Sequence, residues 1–357
     1  MYDIAIIGAG PAGSTLARLM GTKYKVLLVD KGDAPSASGM PQFEKCCGGL
    51  LAPDAQKMLA IMGLGVPQEV LVGPQLFAVR TIDMPQQLER YYQRSYLNID
   101  RAKFDSWLLS LVPSGVDVFR GSLFHDLEQD HDGITLHLTR NSKTVTVRTR
   151  VLVGADGARS QVRKKAFSLQ REPKSYIAIQ ESFKTAAPLP YFTAIFDPTI
   201  TDFYSWIIPK NDSLLVGSAL RTGESALPKF EQLKGKLTAW GFVLGKSVNK
   251  KGALVLRPDS LSQICTGNGA VALIGEAAGW ISPSSAEGMS YSFRSAIALA
   301  DALSSGLNNF QGHYWRNTRS LRRNILLKNV KSPIMYNSVL RKLVMLSGLN
   351  SIDPLSS

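Results

Sequence analysis

Cysteine and histidine are scarce in this chain of 357 residues, with three and four copies respectively. Cys46, Cys47 and Cys265 are odd in number and two of them are adjacent, which excludes a disulfide framework and predicts reduced thiols. His125, His131, His137 and His313 are scattered, and no histidine and carboxylate fall at metal-ligand spacing, so no metal site is expected. The nucleophile elbow of serine hydrolases is missing too. No uninterrupted apolar run reaches the roughly 18 residues that a membrane-crossing helix needs. Met1 leads directly into the apolar run Ile4 to Ile7 with no basic n-region, so no secretory signal is read and a cytoplasmic location is expected. Acid is the minority charge, 28 Asp and Glu against 41 Lys and Arg, for a net charge of +13. The excess is concentrated at the end: from His313 onward, Arg316, Arg319, Arg322, Arg323, Lys328, Lys331, Arg341 and Lys342 face one acid, Asp353. Such a balance favours anionic partners, or is simply a basic solvated surface.

What the chain has is apolar mass, 45% of its residues, enough for one large or two interlocked domains with a sizeable core. Residues 2–7 (YDIAII) read as a buried strand, Pro11 to Met20 as a helix, and Lys25 to Val29 as a second strand closing at Asp30. Between strand and helix stands GAGPAG, the dinucleotide fingerprint in its required βαβ context. Gly8 permits the tight turn, Gly10 lets the backbone approach a pyrophosphate, and Gly13 allows close packing of helix on strand. Pro11 and Ala12 open the helix whose free N–H groups face the phosphates. Asp30, with Lys31 beside it, lies about 20 residues on, where an acid bonds the adenosine ribose. This unit alone leaves NAD and FAD both open.

Beyond it, Gly32 to Pro53 is a long irregular stretch containing KCCGGLLAP. Asp100 caps a helical pattern through Arg101, Phe104, Trp107, Leu108 and Leu111, and Ile134 to Leu138 and Val145 to Val153 suggest a β-meander. From about Lys174 to Leu256 the pattern is strand-rich, with Tyr176 to Phe183, Tyr191 to Phe196, Tyr204 to Ile208 and Ser213 to Leu220 as strands and a helix from Pro228 to Trp240. Ala270 to Ile274 returns to a buried parallel-strand pattern, followed by a long helix through Ala296, Leu299, Ala300 and Leu303. Tyr91, Tyr92, Arg94 and Tyr96 form an aromatic and basic cluster, yet no nucleic-acid fold accompanies them and no such partner is expected.

Two distal strings decide the cofactor. GADGARSQVR (Gly154 to Arg163) and LIGEAAGWISPSSAEGMS (Leu273 to Ser290) resemble the second and third FAD motifs of the glutathione-reductase-like flavoproteins. KCCGGLL, and YSWIIPK followed by Gly217, resemble the active-site loop and substrate signature of the geranylgeranyl reductase family, in its bacterial branch. Here Tyr204, Trp206, Pro209 and Gly217 match that signature, while Ile208 replaces a Phe and Ala219 a Gly. The resemblance runs over the whole chain. It implies an α/β fold: a Rossmann-like FAD-binding domain of the aromatic-hydroxylase type (1–65, 97–165 and 266–312), an inserted antiparallel β-sheet substrate domain (66–96 and 166–265), and C-terminal basic helices (313–357). It further implies that Asp156 and Gly157 lie near the pyrophosphate and riboflavin. Gly275 and Glu276, an acid where the family usually has Asp, would contact the ribityl chain. Gly288 and Met289 would open the helix whose dipole stabilises negative charge on reduced flavin. Arg101 resembles the arginine on the FAD phosphate or ribose, and is otherwise an exposed helix residue. Cys47, Gly48 and Gly49 would stand beside the flavin.

From the residues themselves, Tyr204 and Trp206 alternate along one strand and present rings to one face, as a long apolar ligand or an ordinary core would require. Cys47 is a proton donor or an inert thiol. The expected activity is FAD-dependent reduction of a carbon–carbon double bond in a prenyl-type or other hydrophobic small-molecule or lipid substrate. Cys47, Tyr204 and Trp206 are its catalytic residues, and an external donor (NADPH, ferredoxin or similar) supplies the electrons. An FAD monooxygenase or halogenase, and a non-catalytic flavin-binding module, are the rival expectations. The basic tail, which mixes cations with Ile325, Leu326, Leu327, Val330, Leu340, Leu343, Val344 and Leu346, suits either a cap on the flavin domain or peripheral contact with an anionic membrane at its inner face.

Overall fold

The computed structural model describes residues 1–32, 46–186, 189–223 and 226–353. Most of the irregular stretch Gly32 to Pro53 therefore lies outside the described residues. Two compact units form, each assembled from three stretches of chain. The first is Met1–Glu44, Ala102–Lys174 and Leu256–Asn329; the second is Lys45–Arg101, Ser175–Val255 and Val330–Ser357.

The first unit grows from the strand Tyr2–Ile7, whose last four residues are all buried. A strand covered on both faces reads as a continuous apolar run, which is the pattern of a central parallel strand. Ile4 sits opposite Val26 of the parallel strand Val26–Val29 and, on its other side, opposite Val151 of Lys143–Gly154. Val271–Leu273 extends the parallel sheet beyond that strand, and Asp117–Phe119 extends it beyond Val26–Val29. Lys143–Gly154 changes partner along its length: its first half pairs antiparallel with Gly133–Arg140, itself hairpinned to Ser122–Asp130. Its burial follows, patchy in the meander and complete from Val151 to Gly154. The helices Pro11–Met20 and Met289–Ser304 bury Leu16, Ala17, Leu299 and Leu303 against the sheet. Each fully buried leucine contributes roughly 1.5–3 kcal/mol.

The second unit is a mixed sheet in the order Ser247–Arg257, Lys174–Lys184, Ser213–Arg221, Ser205–Lys210, Phe192–Phe196, Leu76–Asp83, Leu88–Asn98 and Ser351–Ile352. Phe192–Phe196 runs parallel to Leu76–Asp83, with Ile195 opposite Ile82. Lys174–Lys184, Ser213–Arg221, Ser205–Lys210 and Phe192–Phe196 pair antiparallel in series, as do Leu76–Asp83 with Leu88–Asn98 and Leu88–Asn98 with Ser351–Ile352. One face packs on the helix Ala226–Ala239, where Phe230, Leu233 and Leu237 meet Ile179, Ile195, Ile207 and Val216. Tyr91, Tyr92, Arg94 and Tyr96 lie along Leu88–Asn98, one strand of this sheet.

Element positions follow the sequence reading to within a few residues; the grouping of segments differs. Residues 45–65 and 97–101, expected in the FAD-binding domain, pack with the sheet unit, where Leu50 and Leu51 pair with Asn98 and Leu97. Residues 166–174 and 256–265 fall in the first unit instead, held there by Arg163 donating to the Arg171 and Gln263 carbonyls and by Cys265 N–H donating to the Ala278 carbonyl. The tail 313–357 is divided after Asn329. The helices Phe310–Asn317 and Arg319–Tyr336 carry the tail into the second unit, where Ser338–Ser347 follows.

That last helix is fixed by a charge. Arg341 Nε donates to Asp83 Oδ2 at 2.7 Å, with both side chains buried. Removing one partner of such a pair strands the other charge away from water. Arg341→Met should therefore lower the stability of this unit by about 3 kcal/mol, seen as earlier unfolding of the FAD-loaded protein in urea. Lys342→Met, on the exposed neighbour, should shift it by less than about 0.5 kcal/mol.

Candidate functional site

In the first unit the glycine loop is closed by lack of room. A Cβ on Gly13 would stand 1.8 Å from the Gly8 carbonyl oxygen, and one on Gly8 would stand 2.5 Å from that of Ala155. Gly8 also needs φ +105°, which disfavours any residue with a side chain. Gly10 is the N-cap of the first helix and supplies no side-chain cap, so the N–H groups of Ala12 and Gly13 have no intrahelical partner. Pro11, at the first helical position, has no N–H to leave unpaired. These donors and the helix dipole suit a pyrophosphate. Asp30 serves the loop itself: Oδ2 accepts from Ala9 N–H and Oδ1 from Gly32 N–H, both at 2.7 Å. Lys31 is exposed.

The two distal motifs meet this loop. Asp156 Cα lies 3.0 Å from where a Gly8 Cβ would be, and Gly275 would bring a Cβ within 3.0 Å of Ala12 Cβ. Asp156 Oδ2 accepts from the N–H groups of Gln161 and Val162 at 2.7 and 3.2 Å. Asp156 Oδ1 is buried and has no hydrogen-bond partner among the described residues, an acceptor that a ligand hydroxyl or N–H would satisfy. Burial pushes the Asp156 carboxyl above its ordinary range. Gly157 opens the short turn Gly157–Arg159. Glu276, expected on the ribityl chain, gives Oε1 to Leu256 N–H at 2.9 Å. Gly288 is the N-cap of the helix that starts at Met289, as expected.

The sequence reading missed three supports of this cradle. Arg163, nearly fully buried, donates to the carbonyls of Ala277 and Gln263 and so ties the second motif to the third. Ser295 Oγ accepts from Gly275 N–H at 2.9 Å. Glu287 caps the late helix, accepting from Ser290 N–H and Ser290 Oγ. Its carboxylate already lies at the helix N-terminus whose dipole was expected to stabilise charge on the flavin.

In the second unit the strand Ser205–Lys210 decides which groups share a face. Side chains alternate, so Tyr204, Trp206, Ile208 and Lys210 point to one side while Ile207 joins the helix-facing core. The Tyr204 and Trp206 rings lie 5.4 Å apart, and Tyr204 also meets Phe203 and Phe196. The indole rests on Gly217 across the ladder, where a Cβ would come within 2.3 Å of it. Trp206 Nε1 is buried with no hydrogen-bond partner among the described residues.

The Cys-Gly-Gly loop lies on that same face. A Cβ on Gly48 would strike Ile208 Cδ1 at 2.6 Å, and one on Gly49 would strike Ile99 O at 2.3 Å and Lys210 Nζ at 2.7 Å. The two glycines let the loop lie close against Ile208, Lys210 and the Ile99 carbonyl. Lys210 Nζ donates to Asn98 Oδ1 (2.6 Å), Ile99 O (2.9 Å) and Gly49 O (3.1 Å). Burial brings this amine down to about 8, against the charges of Cys47 and Asp100, which hold it up. Arg101, expected on the cofactor, donates Nη1 to Cys47 Sγ at 3.3 Å, and Gly49 N–H lies 3.5 Å from the same sulfur. Cations beside a sulfur favour its thiolate. Cys46 has the opposite surroundings: it lies against Ala178 O and Gln180 Oε1, and burial, with the Cys47 charge, pushes its thiol up to about 12. Lys210 was missed, although it continues the period-two series from Tyr204 as a charge on an apolar strand face. Among the described residues no group of His, Cys, Asp or Glu could hold a metal ion.

The FAD binding domain family matches residues 76–226. Protein CbrA of Escherichia coli O139:H28 (strain E24377A / ETEC) is 40% identical over 356 residues, 99% of each chain, and protein CbrA of Shigella sonnei (strain Ss046) matches equally. Among solved structures, a geranylgeranyl bacteriochlorophyll reductase-like protein from Thermoplasma acidophilum superposes with TM-score 0.81 at 18% identity, over 96% of this chain and 90% of that one. PqsL, a probable FAD-dependent monooxygenase from Pseudomonas aeruginosa, gives 0.72 at 18% identity over 98% and 99%. The flavin-dependent halogenase CmlS gives 0.70 at 19% identity over 92% of this chain and 63% of that one. With the three-motif cradle, these likenesses define an FAD-binding protein of the aromatic-hydroxylase-type fold. Within that class, the chain belongs to the CbrA family.

Two outcomes follow. Gly13→Ala should displace the loop and weaken FAD retention about tenfold or more, roughly 1.4 kcal/mol per tenfold, read from flavin absorbance after gel filtration. Lys210→Met should move the pH midpoint of Cys47 alkylation by iodoacetamide upward by about one unit. Cys46, alkylated only at higher pH, is the internal standard in the same mass spectra.

Proposed function

We propose that this chain reduces a carbon–carbon double bond in a prenyl-type or other hydrophobic small-molecule or lipid substrate. The observation that supports it most is the Cys47 sulfur held by Arg101 on the strand face that carries Tyr204, Trp206 and the buried Lys210. When bound and reduced, FAD supplies a hydride from its N5 atom. Tyr204 and Trp206, their rings 5.4 Å apart and tilted to each other, would flank an elongated apolar substrate, and the Trp206 N–H offers a single polar contact. With one alkene carbon reduced in this way, the Cys47 thiol would give its proton to the other. The sulfur becomes a thiolate that Arg101 and Lys210 stabilise, and a solvent proton restores it. A thiol made more acidic by neighbouring cations is suited to this step, because a general acid works best when its pKa lies near the working pH. The electrons come from an external donor such as NADPH or ferredoxin.

The test is anaerobic incubation of the reduced protein with a series of prenyl alcohols, followed by mass spectrometry. Reduction adds two hydrogens per double bond without oxygen. A product that forms only in air and gains an oxygen atom would make the chain a monooxygenase instead. Cys47→Ala should lower turnover about 10²-fold while leaving FAD bound; unchanged turnover removes Cys47 from the reaction. The rate should fall on the alkaline side as Cys47 loses its proton. Lys210→Met, which disfavours the thiolate, should move that limb to higher pH.

A further inference from the structure

The helix Ser338–Ser347 is turned inside out. Its charged Arg341 and its Met345 are buried, whereas Val339 is 64% exposed, Leu343 60% and Leu346 53%. Spacings of four and three residues put those three on one stripe, opposite the buried pair. From Val330 to Ile352, ten large apolar side chains stand more than a third exposed. The arrangement is held firmly: Arg341 is fixed on Asp83, and Ser351–Ile352 pairs with Leu88–Asn98 beyond the helix. A charge has been drawn inward and leucines left outward, so the apolar stripe is not a failure of the helix to fold back.

We infer that this stripe seats on an anionic lipid bilayer. The charge pattern selects that occupant. In the same unit Lys331 is exposed, and Ser338–Ser347 carries the exposed Lys342 beside the stripe and no acid. A second copy would set one cationic, acid-free helix against another, while anionic headgroups meet Lys342 and the leucines beside it. No helix among the described residues is long and apolar enough to cross a membrane, so the contact is peripheral. The inference does not rest on the reaction proposed above.

Sedimentation of the full FAD-loaded chain with vesicles tests it. Vesicles of phosphatidylcholine with one-third phosphatidylglycerol should bind about tenfold or more tightly than phosphatidylcholine alone, and added salt should weaken the binding. The double variant Leu343→Asp and Leu346→Asp, on exposed positions, should lose about tenfold or more of it with FAD content unchanged. Absence of binding to the anionic vesicles at low salt overturns the inference, as does binding that the double variant retains. A concentration-dependent dimer that the same variant abolishes would assign the stripe to a second copy instead.

Discussion

The absence of space at Gly13 governs the nucleotide side of this protein. Because a Cβ there would stand 1.8 Å from the Gly8 carbonyl, the first helix begins directly against the end of the first strand. Its unpaired N–H groups then lie where the strand's chain leaves the sheet. Asp30 locks the loop from the second strand by accepting Ala9 N–H, and Asp156 and Gly275 abut it from the two distal motifs. Arg163 spans those motifs through backbone carbonyls. Four stretches of sequence are thereby committed to one cradle, and Asp156 Oδ1, buried with no hydrogen-bond partner among the described residues, is an acceptor that a bound ligand would satisfy.

The second unit rests on a different constraint, the two-residue period of Ser205–Lys210. It aligns two aromatic rings, an isoleucine and an ammonium group on one face, and the glycine pair at 48 and 49 lets a loop lie flat over the far end. The consequence is electrostatic. Adjacent cysteines acquire different surroundings: burial pushes the Cys46 thiol up, whereas Arg101 Nη1 lies against the Cys47 sulfur.

Much of this was legible in the residues. The glycine loop, Asp30, the strands on either side and the aromatic pair at Tyr204 and Trp206 all depend on local spacing, which sequence displays directly. The partners of Arg101 and Glu276 were not legible. Arg101 meets Cys47, 54 positions away in sequence, and Glu276 meets the Leu256 amide; no periodicity encodes a contact between separate segments. Lys210 was readable in principle as the fourth member of an alternating series, but its burial depends on Asn98, Ile99 and Gly49 arriving from elsewhere.

The tail shows the same division. Its charge and its apolar residues were countable from the sequence, and their mixture indicated helices with an unusual surface. Which residues turn outward was decided only when Asp83, buried on another strand, claimed Arg341 and fixed the rotation of the last helix. The sequence by itself determined the dinucleotide loop, because steric room and helix polarity are local properties. The tertiary structure decided the neighbours of Cys47 and the face of the final helix, because burial and ion pairing exist only between segments that folding brings together.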